Sequence, residues 1–357
     1  MRAWEKGEIV LDDGSRAQAQ MPVIVSASRS TDIPAFYADW FIRRFRGGDG
    51  YVRWTNPFSG KPLYVSFLKT RLIVFWSKNP SPMMRVLPDA GETPLDIIEA
   101  SGRNYYFQYT MNDYDLEGVE PCVPRLPARI DTLKRLAERI GDQGPDRVIW
   151  RFDPLILTDA ITPEMLLERI ARIGDEVKGY TRRLVFSFVD INAYARVAKN
   201  LERGGIRARE FSVEEMRHTA VEIARMAHSW GMTAATCGEM ADLPVPDGVP
   251  PIDRNRCVDD RLMARCFNND RELMRLIGAH YVQPDLLDKS DGHWKTEYHK
   301  DPGQRDSCGC VMSKDIGEYN TCPHLCHYCY ANTSNETAAR NWQRHRASPN
   351  SETITGL

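Results

Sequence analysis

Leu72-Ile73-Val74-Phe75-Trp76-Ser77-Lys78-Asn79 is a run of five apolar residues, β-branched and aromatic, that stops abruptly at three polar ones. An unbroken apolar run of this length is the pattern of a strand buried on both faces, as in a parallel sheet covered by helices. The pattern recurs at Val23-Ile24-Val25, Tyr105 to Tyr109, Val148-Ile149-Trp150, Leu184 to Phe188 and Met232 to Thr236, with shorter strands around Val52 and Val65. Between these runs the spacing predicts helices over about Ala35 to Phe45, Ile130 to Arg139, Pro163 to Ile173 and Val213 to His228. Thr162 before Pro163 reads as an N-cap with an N1 proline, and Ser212 with Glu215 as a capping box. Six or more strand–helix units, with no dinucleotide-type glycine fingerprint, predict an α/β fold: a (β/α) barrel, closed or partial.

Polar residues follow the strands: Ser28-Arg29-Ser30-Thr31-Asp32, Ser77-Lys78-Asn79, Arg151 and Asp153, Asp190 and Asn192, Cys237 and Glu239. In a barrel these positions converge on the C-terminal rim, where active sites form. Loops are polar in any case, which explains one such cluster but five together less well. Lys78, Arg151 and Asp153 are the catalytic candidates. Arg151 suits a bidentate grip on a carboxylate, oriented by Asp153, and Lys78 a point charge.

The 357 residues are 42% hydrophobic and 27% charged, with 47 Lys and Arg against 49 Asp and Glu. That balance is globular and gives no electrostatic footprint for nucleic acid or membrane. No apolar stretch is long enough to span a bilayer. Five of the nine cysteines fall between 308 and 329. Clustered thiols without an export signal read as metal ligands in the cytoplasm. The expected divisions are an N-terminal extension (1–20), the barrel (21–267), an insertion or lid (268–307), a cysteine loop (308–332) and a polar tail (333–357), disordered after about Ala347.

The chemistry concentrates in Cys322-Pro323-His324-Leu325-Cys326-His327-Tyr328-Cys329-Tyr330-Ala331-Asn332. Three thiolates leave one iron of a cubane cluster without a protein ligand. In electron-transfer clusters a fourth cysteine fills that place. An open iron can instead chelate a substrate or cofactor. The competing reading is zinc on Cys322, Cys326, Cys329 and either His324 or His327.

This spacing, with Tyr328 before the last cysteine, resembles the signature of the radical S-adenosylmethionine (SAM) superfamily, and the local sequence looks like its spore photoproduct lyase branch. The resemblance implies that Cys322, Cys326 and Cys329 hold a [4Fe–4S] cluster, that SAM chelates the fourth iron, and that Tyr328 contacts its adenine. Reductive cleavage would give a 5′-deoxyadenosyl radical for hydrogen abstraction, with an external donor of the flavodoxin or ferredoxin class. The superfamily carries its motif near the N-terminus. From Val23 through Asn332 the chain is similar to an uncharacterised family, domain of unknown function 1848, with the cysteines at the C-terminal end. Its local signatures are Ser26 to Pro34, Phe75 to Pro80, Trp150 to Pro154 and Asp315-Ile316-Gly317. A circularly permuted barrel reconciles the two resemblances. No Gly-Gly-Glu triplet follows the first strand, so Ser28, Ser30, Thr31, Asp32 and Asn79 are the candidate SAM contacts. Asp32 equally reads as the start of the helix opened by Pro34.

Cys308-Gly309-Cys310 has chelating spacing, and with Cys237 and Cys257 it makes a candidate second site for an iron–sulfur cluster or zinc. The uncharacterised family has cysteines at these four points. Buried apolar thiols are the alternative for Cys237 and Cys257. A small-metabolite substrate is favoured over a nucleic-acid lesion, although Arg43, Arg44, Arg46 and Arg53 form a local basic cluster.

Overall fold

The computed structural model describes residues 4–55, 59–239, 241–284 and 292–357. Eight strands form the central sheet: β1 (Ile24–Ala27), β2 (Leu72–Ser77), β3 (Asn104–Thr110), β4 (Val148–Leu155), β5 (Arg183–Phe188), β6 (Thr233–Thr236), β7 (Asp253–Arg254) and β8 (Lys314–Asp315). Their order is β7-β6-β5-β4-β3-β2-β1-β8, and every pairing is parallel. Seven strands thus succeed one another in chain order, and β8 joins β1 from the other end of the chain. Among the described residues no strand ladder joins β7 to β8, so the sheet is not a closed barrel. Among the described residues a backbone bond reaches across this gap near the two edges, from Val311 N–H to Val258 C=O at 3.1 Å.

Alternate side chains of each strand belong to two separate cores, as a period of two requires. Val25, Ile73, Phe75, Phe107, Trp150, Leu184 and Phe186 pack with helix residues such as Leu133, Leu166, Ile170 and Ile223. Ile24, Leu72, Val74, Tyr106, Ile149, Val185 and Ala235 pack with Val258, Leu262, Phe267, Leu273, Ile277 and Val311. The covering helices include Leu126–Ile140, Pro163–Val177 and Val213–Ser229. Thr162 and Ser212 cap two of them as the sequence predicts. Thr93 and Asp96 add a second capping box, ahead of Pro94–Ala100.

Three segments gain definition from the structure. The N-terminal extension is a hairpin, Lys6–Val10 with Arg16–Gln20, in a four-stranded sheet with Pro62–Ser66 and Tyr51–Thr55. The 268–307 segment is not a lid at its start. Asp270 bonds Arg71 and Asn104, which stand at the N-terminal ends of β2 and β3, so this stretch closes the mouth opposite the rim. Residues 285–291 of it lie outside the described residues. The polar tail forms a helix, Asn335–Ala347, and the last residues pack down: Trp40 Nε1 donates to Ser351 C=O at 2.8 Å and Ile354 is 1% exposed. The anchors are few, Trp342 and His345 against Phe36 and Tyr37, so the sequence shows little amphipathic signal there. No helix among the described residues is long and apolar enough to cross a membrane.

Candidate functional site

The Cys322–Cys329 stretch contains no helix or strand and is held by side chains from the strand ends. His324 Nε2 lies 2.8 Å from Asp32 Oδ2, and its Nδ1 lies 3.3 Å from Cys122 C=O. Tyr330 Oη donates to Arg29 C=O at 2.7 Å, and Tyr328 Oη meets Lys78 Nζ at 2.7 Å. From the other side Asn200 donates to Cys329 C=O and Asn332 C=O. The loop therefore sits at the C-terminal ends of β1 and β2. With both ring nitrogens occupied, His324 is no zinc ligand here.

Asp32 accepts four bonds. One oxygen takes Ala35 N–H at 2.9 Å and Ser77 Oγ at 2.7 Å; the other takes Lys78 N–H at 2.7 Å and His324. Four donors saturate a carboxylate. Asp32 caps the Ile33–Phe36 turn and ties the loop to the sheet, leaving no lone pair for a SAM ammonium. Ser28 Oγ donates to Asp315 Oδ1 at 2.6 Å and contacts Ser30 Oγ at 3.1 Å, joining two of the sequence signatures. Asn79 Oδ1 accepts Ser81 Oγ at 2.7 Å in a local turn. Thr31 Oγ1 and Asn332 Oδ1 are buried here without a hydrogen-bond partner, and both suit a polar ligand.

Lys78 belongs to a buried polar cluster that the sequence reading missed. Its ammonium bonds Glu120 Oε1 at 2.8 Å, and Asn112 Nδ2 bonds the same oxygen at 2.9 Å. Tyr328 Oη also donates to Glu120, and Arg129 stands 3.6 Å from its second oxygen. Burial alone would raise Glu120, but the Lys78 and Arg129 charges outweigh it and hold the carboxyl at about 2. Nothing in the local sequence of Glu120, outside any strand or helix, marks it as a partner of Lys78.

Cys322, Cys326 and Cys329 are unpaired thiols. Burial pushes Cys322 up to about 12, with Cys329 and Asp32 adding to the shift. Burial also raises Cys326 well above the usual thiol range, against the pull of Lys78, and the other two thiols act on it. Asn332 N–H donates to Cys329 Sγ at 3.4 Å. No group of three His, Cys, Asp or Glu among the described residues is gathered closely enough to hold a single ion.

Below the rim, Arg151 donates through Nε to Asp153 at 3.1 Å and through Nη1 to Gln108 Oε1 and Cys257 Sγ, each at 3.1 Å. Asp153 also accepts Ser187 Oγ. The second thiol set meets here: Cys237 Sγ and Cys257 Sγ are 3.5 Å apart, and Cys257 interacts with Cys310, which interacts with Cys308. Cys122 is exposed, and Cys266 stands apart from both sets, with Arg265, Asp146 and Arg147 about it.

The profile of a family described as "Domain of unknown function (DUF1848)" matches residues 24–331. No curated protein matches the chain. A solved structure from Bacteroides thetaiotaomicron, classed provisionally as an alpha-L-fucosidase, shares 12% identity, covering 52% of this chain and 70% of its own, with a TM-score of 0.26. A likeness that weak carries no argument.

Proposed function

The chain belongs to the DUF1848 family, whose matched span takes in the cysteine loop, and on that premise we propose that it is a radical SAM enzyme acting on an unidentified substrate. The observation that carries this reading is the trio Cys322, Cys326 and Cys329: free thiols, Cys326 buried and the other two half-buried, acting on one another with Lys78 beside them. Cys322, Cys326 and Cys329 would hold a [4Fe–4S] cluster, which with SAM would supply reductive cleavage of the sulfonium and hydrogen abstraction from the substrate.

The chain's own groups provide placement and charge. Lys78 keeps a cation beside the thiolates, and Glu120, ionised by Lys78 and Arg129, fixes that ammonium in place. Asp32 seats the loop through His324. Thr31 and Ser30 remain for the polar groups of SAM, and Tyr328 for its adenine. The Arg151–Asp153 pair stands on the substrate side. The electron comes from an external flavodoxin or ferredoxin. Circular permutation accounts for a cysteine loop that follows the sheet in sequence yet meets the ends of β1 and β2.

A small metabolite is favoured over a nucleic-acid lesion. Arg43 bonds Asn350, Arg44 bonds Asp12, and Arg53 bonds Leu357 C=O, so three of the four clustered arginines have partners within the chain. The test is anaerobic reconstitution followed by SAM and dithionite. Brown protein that forms methionine and 5′-deoxyadenosine, with both lost in Cys326→Ala, is the expected result. Colourless protein carrying zinc on these three thiols would sink the assignment.

A further inference from the structure

The second thiol set lies where the open sheet most needs closure. Cys237 directly follows β6, Cys257 comes three residues after edge strand β7, and Cys308 and Cys310 precede the opposite edge strand β8. Across that gap near the edges Val311 N–H to Val258 C=O is the backbone bond observed. Three stretches of chain thus deliver four free thiols to one seam.

Hydrogen-bond donors and a cation surround these sulfurs. Three N–H groups point at the sulfurs: Arg151 Nη1 and Asn255 Nδ2 at Cys257, at 3.1 and 3.3 Å, and Val258 N–H at Cys310, at 3.4 Å. Such outer donors are the usual support of metal-bound thiolates. Arg29 is a second cation here, acting on Cys310, Cys257 and Cys308, and its Nη2 is buried with no hydrogen-bond partner. Arg151 is already paired with Asp153, and Asp315 acts on Arg29 together with the thiols. Beside four thiolates on a divalent ion, these guanidinium groups offset part of the excess negative charge.

We infer that Cys237, Cys257, Cys308 and Cys310 bind one mononuclear zinc-class ion that clamps the two edges of the central sheet. The Cys237–Cys257 separation of 3.5 Å chooses between the metals. A tetrahedron with bonds of about 2.3 Å has edges of about 3.8 Å, whereas a cubane hangs each thiolate on a different iron and holds them well apart. The four sulfurs do not yet ring one point, since no three ligand side chains among the described residues do. Binding draws Cys308 and Cys310 in toward the closer pair and pulls the β8 edge with them. The clamp is independent of the cluster proposed at Cys322, Cys326 and Cys329.

Elemental analysis of protein purified under reducing conditions tests this. About one zinc per chain is expected, retained in the C322A/C326A/C329A variant and reduced roughly tenfold or more in C308S/C310S. Because C308S/C310S risks misfolding, zinc-edge X-ray absorption on the wild-type chain provides a variant-free check, with four sulfur neighbours at about 2.3 Å expected. Iron with inorganic sulfide, and no zinc, in C322A/C326A/C329A would overturn the mononuclear assignment. Metal-free wild-type protein with a Cys237–Cys257 disulfide would overturn the site altogether.

Discussion

Replacing Asp32 by asparagine tests whether one buried carboxylate holds the cysteine loop on the sheet. Asp32 is 5% exposed and its oxygens accept four donors. The amide keeps one oxygen, which still serves Ala35 and Ser77, and turns the other acceptor into a donor facing Lys78 N–H and His324. His324 can adapt, because its Nδ1 can donate to Cys122 C=O while Nε2 accepts. Lys78 N–H cannot adapt, and a buried donor left unsatisfied costs about 1–3 kcal/mol. Asp32→Asn should therefore lose about 2 kcal/mol, a large share of the roughly 5–15 kcal/mol that stabilises a folded domain. Asp32→Ala strands all four donors and risks not folding, so the conservative variant is the informative one. Urea titration of the reduced, metal-free chain, followed by tryptophan fluorescence, measures the effect in D32N, H324A and the double variant. Direct partners should be non-additive by about 0.5–3 kcal/mol. An unshifted D32N midpoint, or a strictly additive cycle, would refute the tether.

Lys78→Met should destabilise the chain by about 3 kcal/mol at neutral pH, because it strips a buried carboxylate of its nearest cation. Glu120 is held at about 2 against an ordinary value of 4.5, so its contribution is complete above that ordinary value and is lost as pH falls toward the lower one. Denaturation curves between these limits should show that loss in the wild type and a flatter profile in K78M. Gly317→Ala places a Cβ 2.1 Å from Ser28 Oγ, and the forced shift should cost about 1–3 kcal/mol in thermal unfolding. A neutral G317A would mean that the Ser28–Asp315 junction yields freely. Ile354→Asp buries a charge under the C-terminal segment. It should speed proteolysis after Ala347 while leaving the wild-type chain resistant there.

The run Leu72 to Trp76 and its counterparts made the parallel strands legible, because a strand covered on both faces has no polar period to disguise it. Thr162 and Ser212 were legible for a similar reason: capping is a contact between residues three apart, written in the local sequence. The three thiols of the cysteine loop, seven residues from first to last, were equally local. What the sequence by itself determined is this set of short-range matters: element type, helix starts and thiol spacing. The tertiary structure alone decided which partners meet. Asp32 reads equally as a ligand group or a helix cap until His324, 292 residues away, occupies it. Glu120 carries no motif, and its role exists only once Lys78 and Tyr328 reach it from separate segments. The 268–307 segment reads as an insertion or lid from its polarity, and only the folded sheet shows that Asp270 ties its start to the opposite mouth through Arg71 and Asn104. The four thiols of the seam come from three stretches of chain, and no periodicity links them. Hydrophobic pattern acts over a few residues and is readable in one dimension. Partner choice among polar groups depends on which strand ends are brought together, and only the folded sheet fixes that.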